Sequence, residues 1–136
     1  DVDRRTWWVG ESYNMEYTFN KPLFKAAQTG GGMGFVAQGR HQLRYGTLVY
    51  SDSADFQITV TPSPGTAHTY SYTGKTVGTH EAVLGALTLS DGEFRFPIFS
   101  SSDSVSIKVI NASPIPIHLN SAEFEANYAT RSSRRG

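Results

Sequence analysis

Apolar and polar residues alternate with a period of two along most of this chain. Tyr13, Met15, Tyr17 and Phe19 share one parity, with Asn14, Glu16 and Thr18 on the other. Leu43, Tyr45, Thr47 and Val49 repeat the pattern, as do Phe56, Ile58 and Val60. Further on come Phe94, Phe96 and Ile98, then Val105, Ile107 and Val109, then Ala122, Phe124, Ala126 and Tyr128. Successive side chains of a strand point to opposite faces, so each run predicts a strand with one face on a core and one in water. The β-branched and aromatic content of these runs agrees. Tyr70 and Tyr72 predict a further short strand. The stretch HEAVLGALTL (80–89) is ambiguous between one helical turn and a strand, and Gly85 and its length favour a strand or an irregular edge. Elsewhere no segment holds a 3.6-residue period over a helix-sized window.

Polar, Gly- and Pro-rich stretches separate the runs: TPSPGT (61–66), LSDG (89–92), SSSD (100–103) and NASPIP (111–116). About eight short strands at such spacing predict an all-β fold, an antiparallel two-sheet sandwich for which a jelly-roll connectivity is one solution. In a sandwich each sheet buries its alternate residues against the other, so Phe94, Phe96, Ile107, Val109 and Phe124 are expected in the inter-sheet core. The alternation stops near Ala129. This divides the chain into a sandwich domain over 1–129 and a basic tail, TRSSRRG, over 130–136.

The 136 residues suit one domain. Twelve basic side chains balance twelve acidic ones, which argues against a broad nucleic-acid-binding face. With no cysteine there is no disulfide, thiolate metal site or cysteine nucleophile. No apolar run is long enough to span a membrane as a helix, and no leader is apparent. The chain begins at Asp1, which reads as a processed product or a piece of a longer protein.

Motifs for chemistry are weak. TGGGMG (29–34) lacks the Lys-Ser/Thr end of a phosphate loop, and Ala37 stands where a dinucleotide fingerprint needs its third glycine, so a hairpin tip is the better reading. His41, His68, His80 and His118 have no ligand-like spacing, so no metal or other cofactor is expected. No serine sits in a G-x-S-x-G elbow. Glu123 and Glu125 read as the solvated face of the last strand. The sequon at Asn111 reads as chance. No enzyme is expected. Two features suggest partners instead. Trp7 and Trp8 are adjacent, so a strand would bury one and leave the other exposed or at a contact. Arg131, Arg134 and Arg135 crowd the last six residues and suit bidentate pairing with carboxylates.

The C-terminal half carries a more specific pattern. Phe-Arg-Phe-Pro (94–97) precedes Ile-Asn-Ala-Ser-Pro-Ile-Pro (110–116), then Ser-Ala-Glu-Phe-Glu (121–125), then the basic end Arg131 to Arg135. Upstream, VGESYNMEYTF (9–19) and GRHQLRYGTLVYSDSADFQITVTP (39–62) fit the same order. This series resembles the C-terminal portion of the tail nozzle proteins (tail tubular protein B) of short-tailed podoviruses. Phe124 departs from the Trp common in that pattern, and family proteins are several times longer. The resemblance implies a structural protein of the virion tail, assembled in the host cytoplasm. It also implies a homo-oligomeric, six-fold ring that meets an adaptor and fibres, with DNA passing transiently through the lumen. The arginines of the tail would then serve a subunit contact. An alternative from the residues alone is a carbohydrate-binding sandwich recognising a host surface glycan, with Trp7 or Trp8 as its platform.

Overall fold

The computed structural model describes residues 10–11, 13–27, 30–35, 40–74 and 89–129. These form nine strands: β1 (Met15–Thr18), β2 (Lys25–Ala27), β3 (Met33–Phe35), β4 (Arg40–Ser53), β5 (Asp55–Pro62), β6 (His68–Thr73), β7 (Ser90–Ser101), β8 (Val105–Asn111) and β9 (His118–Ala129). One sheet has the order β1-β8-β5-β6 and the second the order β7-β4-β9, with every pairing antiparallel. β2 and β3 form a separate hairpin whose tip carries Gly30 and Gly31 at φ 131° and 89°. Only glycine adopts such angles without strain, which accounts for the glycine run there.

The two principal sheets face each other across one core, as alternation predicted. Leu43, Leu48, Tyr50, Phe96 and Ile98 come from the three-stranded sheet, and Phe56, Ile58, Val60, Ile107 and Val109 from the four-stranded one. Each such side chain contributes about 1.5–3 kcal/mol by leaving water. Of the five expected core residues, Phe96, Ile107 and Val109 are buried. Phe94 and Phe124 pack at the core's margin and stay half-buried.

The run in β4 faces the other way from the sequence expectation. Between Leu43 and Tyr45 the central strand has one residue, Arg44, where β9 has none and β7 has two, Ile98 and Phe99. A bulge of this kind reverses the in–out parity of everything after it. Leu43 is therefore followed inward by Gly46, Leu48 and Tyr50, while Tyr45, Thr47 and Val49 lie on the outer face. The first run is also corrected. β1 is short, Tyr13 and Tyr17 are exposed, and only Met15 and Phe19 are half-buried. The stretch 80–88 lies outside the described residues.

The chain changes sheet at tight corners. β4 passes to β5 through Ala54 alone. At this corner Ser53 is fully buried. Its hydroxyl donates to the Ser51 carbonyl (2.8 Å) and accepts from the His118 amide (3.0 Å), tying β9 to the bend. Between β8 and β9 the Asn111 side chain accepts from the Ser113 amide and donates to the Ile115 carbonyl, both at 2.8 Å. A buried side chain so engaged is a turn clamp, which removes the sequon from consideration as an attachment point.

Candidate assembly surfaces

Two surface regions are built by the described residues. The first lies on the side of the sandwich where β1 and β9 are the outermost strands of their sheets. Between them the sheets leave an open cleft of about 420 Å³. Met15, Tyr17 and Phe19 line it from one sheet, Leu48, Leu119 and Ala122 from the other, and Ile117 from the turn before β9. Edge-to-face contacts from Tyr17 to Phe19 (5.1 Å) and from Phe19 to Phe124 (5.7 Å) hold its floor. The cleft is mostly apolar because both walls carry the inward parity of their strands, with Asn120 and Ser121 adding polar groups to the β9 wall. Neither wall is covered by another of the described strands.

The second region is the outer face of the three-stranded sheet. There Arg95 of β7 pairs with Glu125 of β9 at 2.9 Å and lies over the Tyr45 ring of β4, its guanidinium carbon 3.9 Å from the ring centre. Phe99 packs edge-on against Tyr45 at 5.1 Å.

Among the described residues no three His, Asp or Glu side chains converge as metal ligands would. His41 is buried as the middle ring of a stack, 4.4 Å from Phe24 and 4.9 Å from Tyr128. His118 stands 3.9 Å from Asp52 on the surface. Glu123 and Glu125 lie on the solvated face as expected, Glu125 engaged with Arg95. Trp7, Trp8, Arg131, Arg134 and Arg135 all lie outside the described residues. Sequence reading did not single out the cleft or the outer-face row. Leu119 and Phe19 join one cleft only through pairing between distant strands, and Arg95 meets Glu125 only once the register of three strands is known. The available signal was that each alternates outward on its own run.

Comparison with known proteins decides the family. The model of the bacteriophage nozzle protein family matches residues 1–135. The chain belongs to the bacteriophage nozzle protein family. Membership makes this nozzle-family chain a structural protein of the phage tail. It is similar to the tail tubular protein gp12 of Escherichia phage T7, with 27% identity over 133 residues. That alignment covers 98% of this chain but 17% of the relative, so the chain spans about a sixth of the relative's length. In the nozzle chain three of the stretches that carried the resemblance are elements of the fold, while the basic end Arg131 to Arg135 lies outside the described residues. Phe94–Pro97 lies in β7, Ile110–Pro116 ends β8 and forms the Asn111 turn, and Ser121–Glu125 lies in β9.

Proposed function

We propose that this domain is a side-by-side assembly module of a tail nozzle, forming part of the wall of the conduit through which the genome leaves the virion. The observation that carries this reading is the apolar cleft between the outer strands β1 and β9. The opposite side ends in β6 and β7, the other outer strands of the two sheets. A second copy can therefore abut head to tail, extending both sheets and covering the cleft, and such heterologous contacts close into a ring when the rotation permits. A six-fold ring, an adaptor above it and fibres beside it are the partners this reading supplies. DNA is a transient occupant of the lumen and not a ligand. Trp7 and Trp8, which precede β1 in the chain, and Arg131, Arg134 and Arg135, which follow β9, are the proposed contact residues. The arginines would meet carboxylates of the neighbour in paired hydrogen bonds.

The test places a charge in the cleft of the complete tail protein with Ala122→Arg, and separately deletes 130–136. Both variants of the isolated chain should keep the parent's far-ultraviolet circular dichroism and melting temperature. Particles carrying either should fail to form nozzles visible by electron microscopy. Normal nozzles with Ala122→Arg would reject the cleft as the contact. Normal nozzles without 130–136 would reduce the arginines to a solubilising end.

A further inference from the structure

Two copies lying side by side would meet along the outer strands of their sheets. In the four-stranded sheet every neighbouring pair is antiparallel, so its outer strands β1 and β6 run in opposite directions. In the three-stranded sheet β7 and β9 both oppose β4, and so run the same way. A copy added head to tail therefore sets its β1 antiparallel to β6 of its neighbour, but its β9 parallel to β7.

The open hydrogen-bonding groups of β1 and β6 match as well. The Phe19 amide, just after β1, donates to the Ile107 carbonyl of β8 at 2.9 Å. Backbone groups alternate sides along an antiparallel strand, so Glu16 and Thr18 turn theirs to the open side. The Gly74 amide, just after β6, donates to the Ala54 carbonyl at 2.6 Å. By the same alternation Thr69, Ser71 and Thr73 turn theirs outward. No other described strand covers either edge. The register also carries the two edges level. Thr18 pairs with Lys108, Lys108 with Thr59 and Thr59 with Thr69, and Glu16 reaches Ser71 likewise through Ile110 and Gln57. These residues share the outer parity of the sheet, so joining the edges keeps both cores on the same side.

We propose that adjacent copies are joined by an antiparallel ladder between β6 of one and β1 of the next, with Thr69 opposite Thr18 and Ser71 opposite Glu16. This rests on side-by-side assembly and names its hydrogen-bonded seam. A second copy is the occupant because β1 of this same chain supplies a strand of matching direction, level and facing. Edges that stay in water are commonly guarded by proline, charge or a bulge. β7 has all three, in Pro97, in Asp91, Glu93 and Arg95, and in the register shift opposite Arg44. From Thr69 to Thr73, β6 has no proline, glycine, charged side chain or register shift, and its Thr and Tyr residues suit a strand. The three-stranded sheets are carried along without a ladder of their own. On the inner side the seam brings Tyr70 beside Tyr17, a wall of the cleft that is 52% exposed in one copy.

Amide exchange in the monomeric 136-residue chain tests the edge first. Thr69 and Ser71 should exchange at least about tenfold faster than Tyr70 and Tyr72, whose amides face β5. In the complete tail protein, with native cysteines replaced, Thr18→Cys together with Thr69→Cys should give covalent multimers on oxidation. Opposed residues of such a ladder lie about 5.5 Å apart, and a disulfide spans about 4.4–6.8 Å between α-carbons. Within one copy the two positions are separated by two intervening strands, roughly 14 Å, so no internal bridge competes. Ser71→Pro removes an N–H that faces the open edge and leaves the bonds to β5 in place. The isolated variant should melt within a few degrees of the parent, while the complete protein carrying it forms no nozzles. Nozzles without cross-linked multimers would overturn the seam. Normal nozzles with Ser71→Pro, where Ala122→Arg abolishes them, would overturn the seam and leave side-by-side assembly standing. Normal nozzles with both variants would reject the whole side as a contact. Slow exchange at Thr69 and Ser71 in the monomer would mean that the chain covers its own edge, and would overturn the seam too. Should Ser71→Pro unfold, the cross-link and the exchange rates still decide.

Discussion

Gly46 lies on the inner face of β4, directly opposite Phe96 of β7 and Phe124 of β9. A β-carbon built there would stand 2.3 Å from Cζ of Phe96 and 2.7 and 2.8 Å from its two Cε atoms. Carbon atoms in contact prefer about 3.5–4.0 Å, so the methyl group of Gly46→Ala would overlap the end of the ring. The ring cannot swing aside into water, since Phe96 is only 1% exposed. Overpacking a close-fitted core costs about 1–3 kcal/mol. Replacing glycine within a strand returns about 0.5–1 kcal/mol of chain entropy. The steric cost is the larger, and we expect Gly46→Ala to lose about 1–2 kcal/mol. Urea unfolding followed by circular dichroism measures this directly, and the melting temperature should fall by several degrees. Shortening the ring supplies the control. Phe96→Leu makes room for the methyl, so Gly46→Ala/Phe96→Leu should be no less stable than Gly46→Ala alone, a coupling of about 1 kcal/mol or more. A loss below about 0.5 kcal/mol for Gly46→Ala, or additive losses in the double variant, would refute the packing of Phe96 over Gly46.

Two further expectations concern polar groups in and around the core. Ser53→Ala leaves the part-buried His118 amide without its acceptor and should cost about 1–2 kcal/mol, and a neutral result would mean that β9 is not tied to the corner through this hydroxyl. The Tyr50 hydroxyl is pushed up to about 12, first by burial and then by its hydrogen bond to Tyr72. The folded state therefore holds this proton more tightly than the unfolded chain, in which tyrosine titrates near 10. Its contribution to stability is complete below about pH 10 and is lost as pH rises from about 10 to about 12. Tyr50→Phe should accordingly show a shallower fall in unfolding free energy than the parent across that interval, and equal slopes would contradict the assignment.

The polar turn at 111–116 illustrates what can be read locally. Asn111 bonds to groups two and four residues away, so its clamp is contained within one short stretch. The same locality holds for the hairpin tip at Gly30 and Gly31 and for the alternation in β5, β7 and β8. Resemblance also read correctly, because it rested on the order of such stretches, which the nozzle family match bears out over residues 1–135.

Period-two alternation and turn chemistry were enough to determine a two-sheet, all-β domain, because each is a property of a few neighbouring residues. The facing of β4 was not available in that way. Nothing around Arg44 marks it as an extra residue, and it becomes one only when β9 pairs Leu43 with Ala126 and Tyr45 with Glu125. That single register step turns Tyr45 outward toward Arg95 and Phe99, and turns Gly46 inward beneath Phe96. The cleft likewise depends on which strands are outermost, and so on the pairing of β1 with β8 and of β9 with β4. Register is set by hydrogen bonding and packing between strands far apart in the chain. The alternation of each run was therefore written in its own residues, while the direction in which a run faced was decided by its neighbours in the sheet.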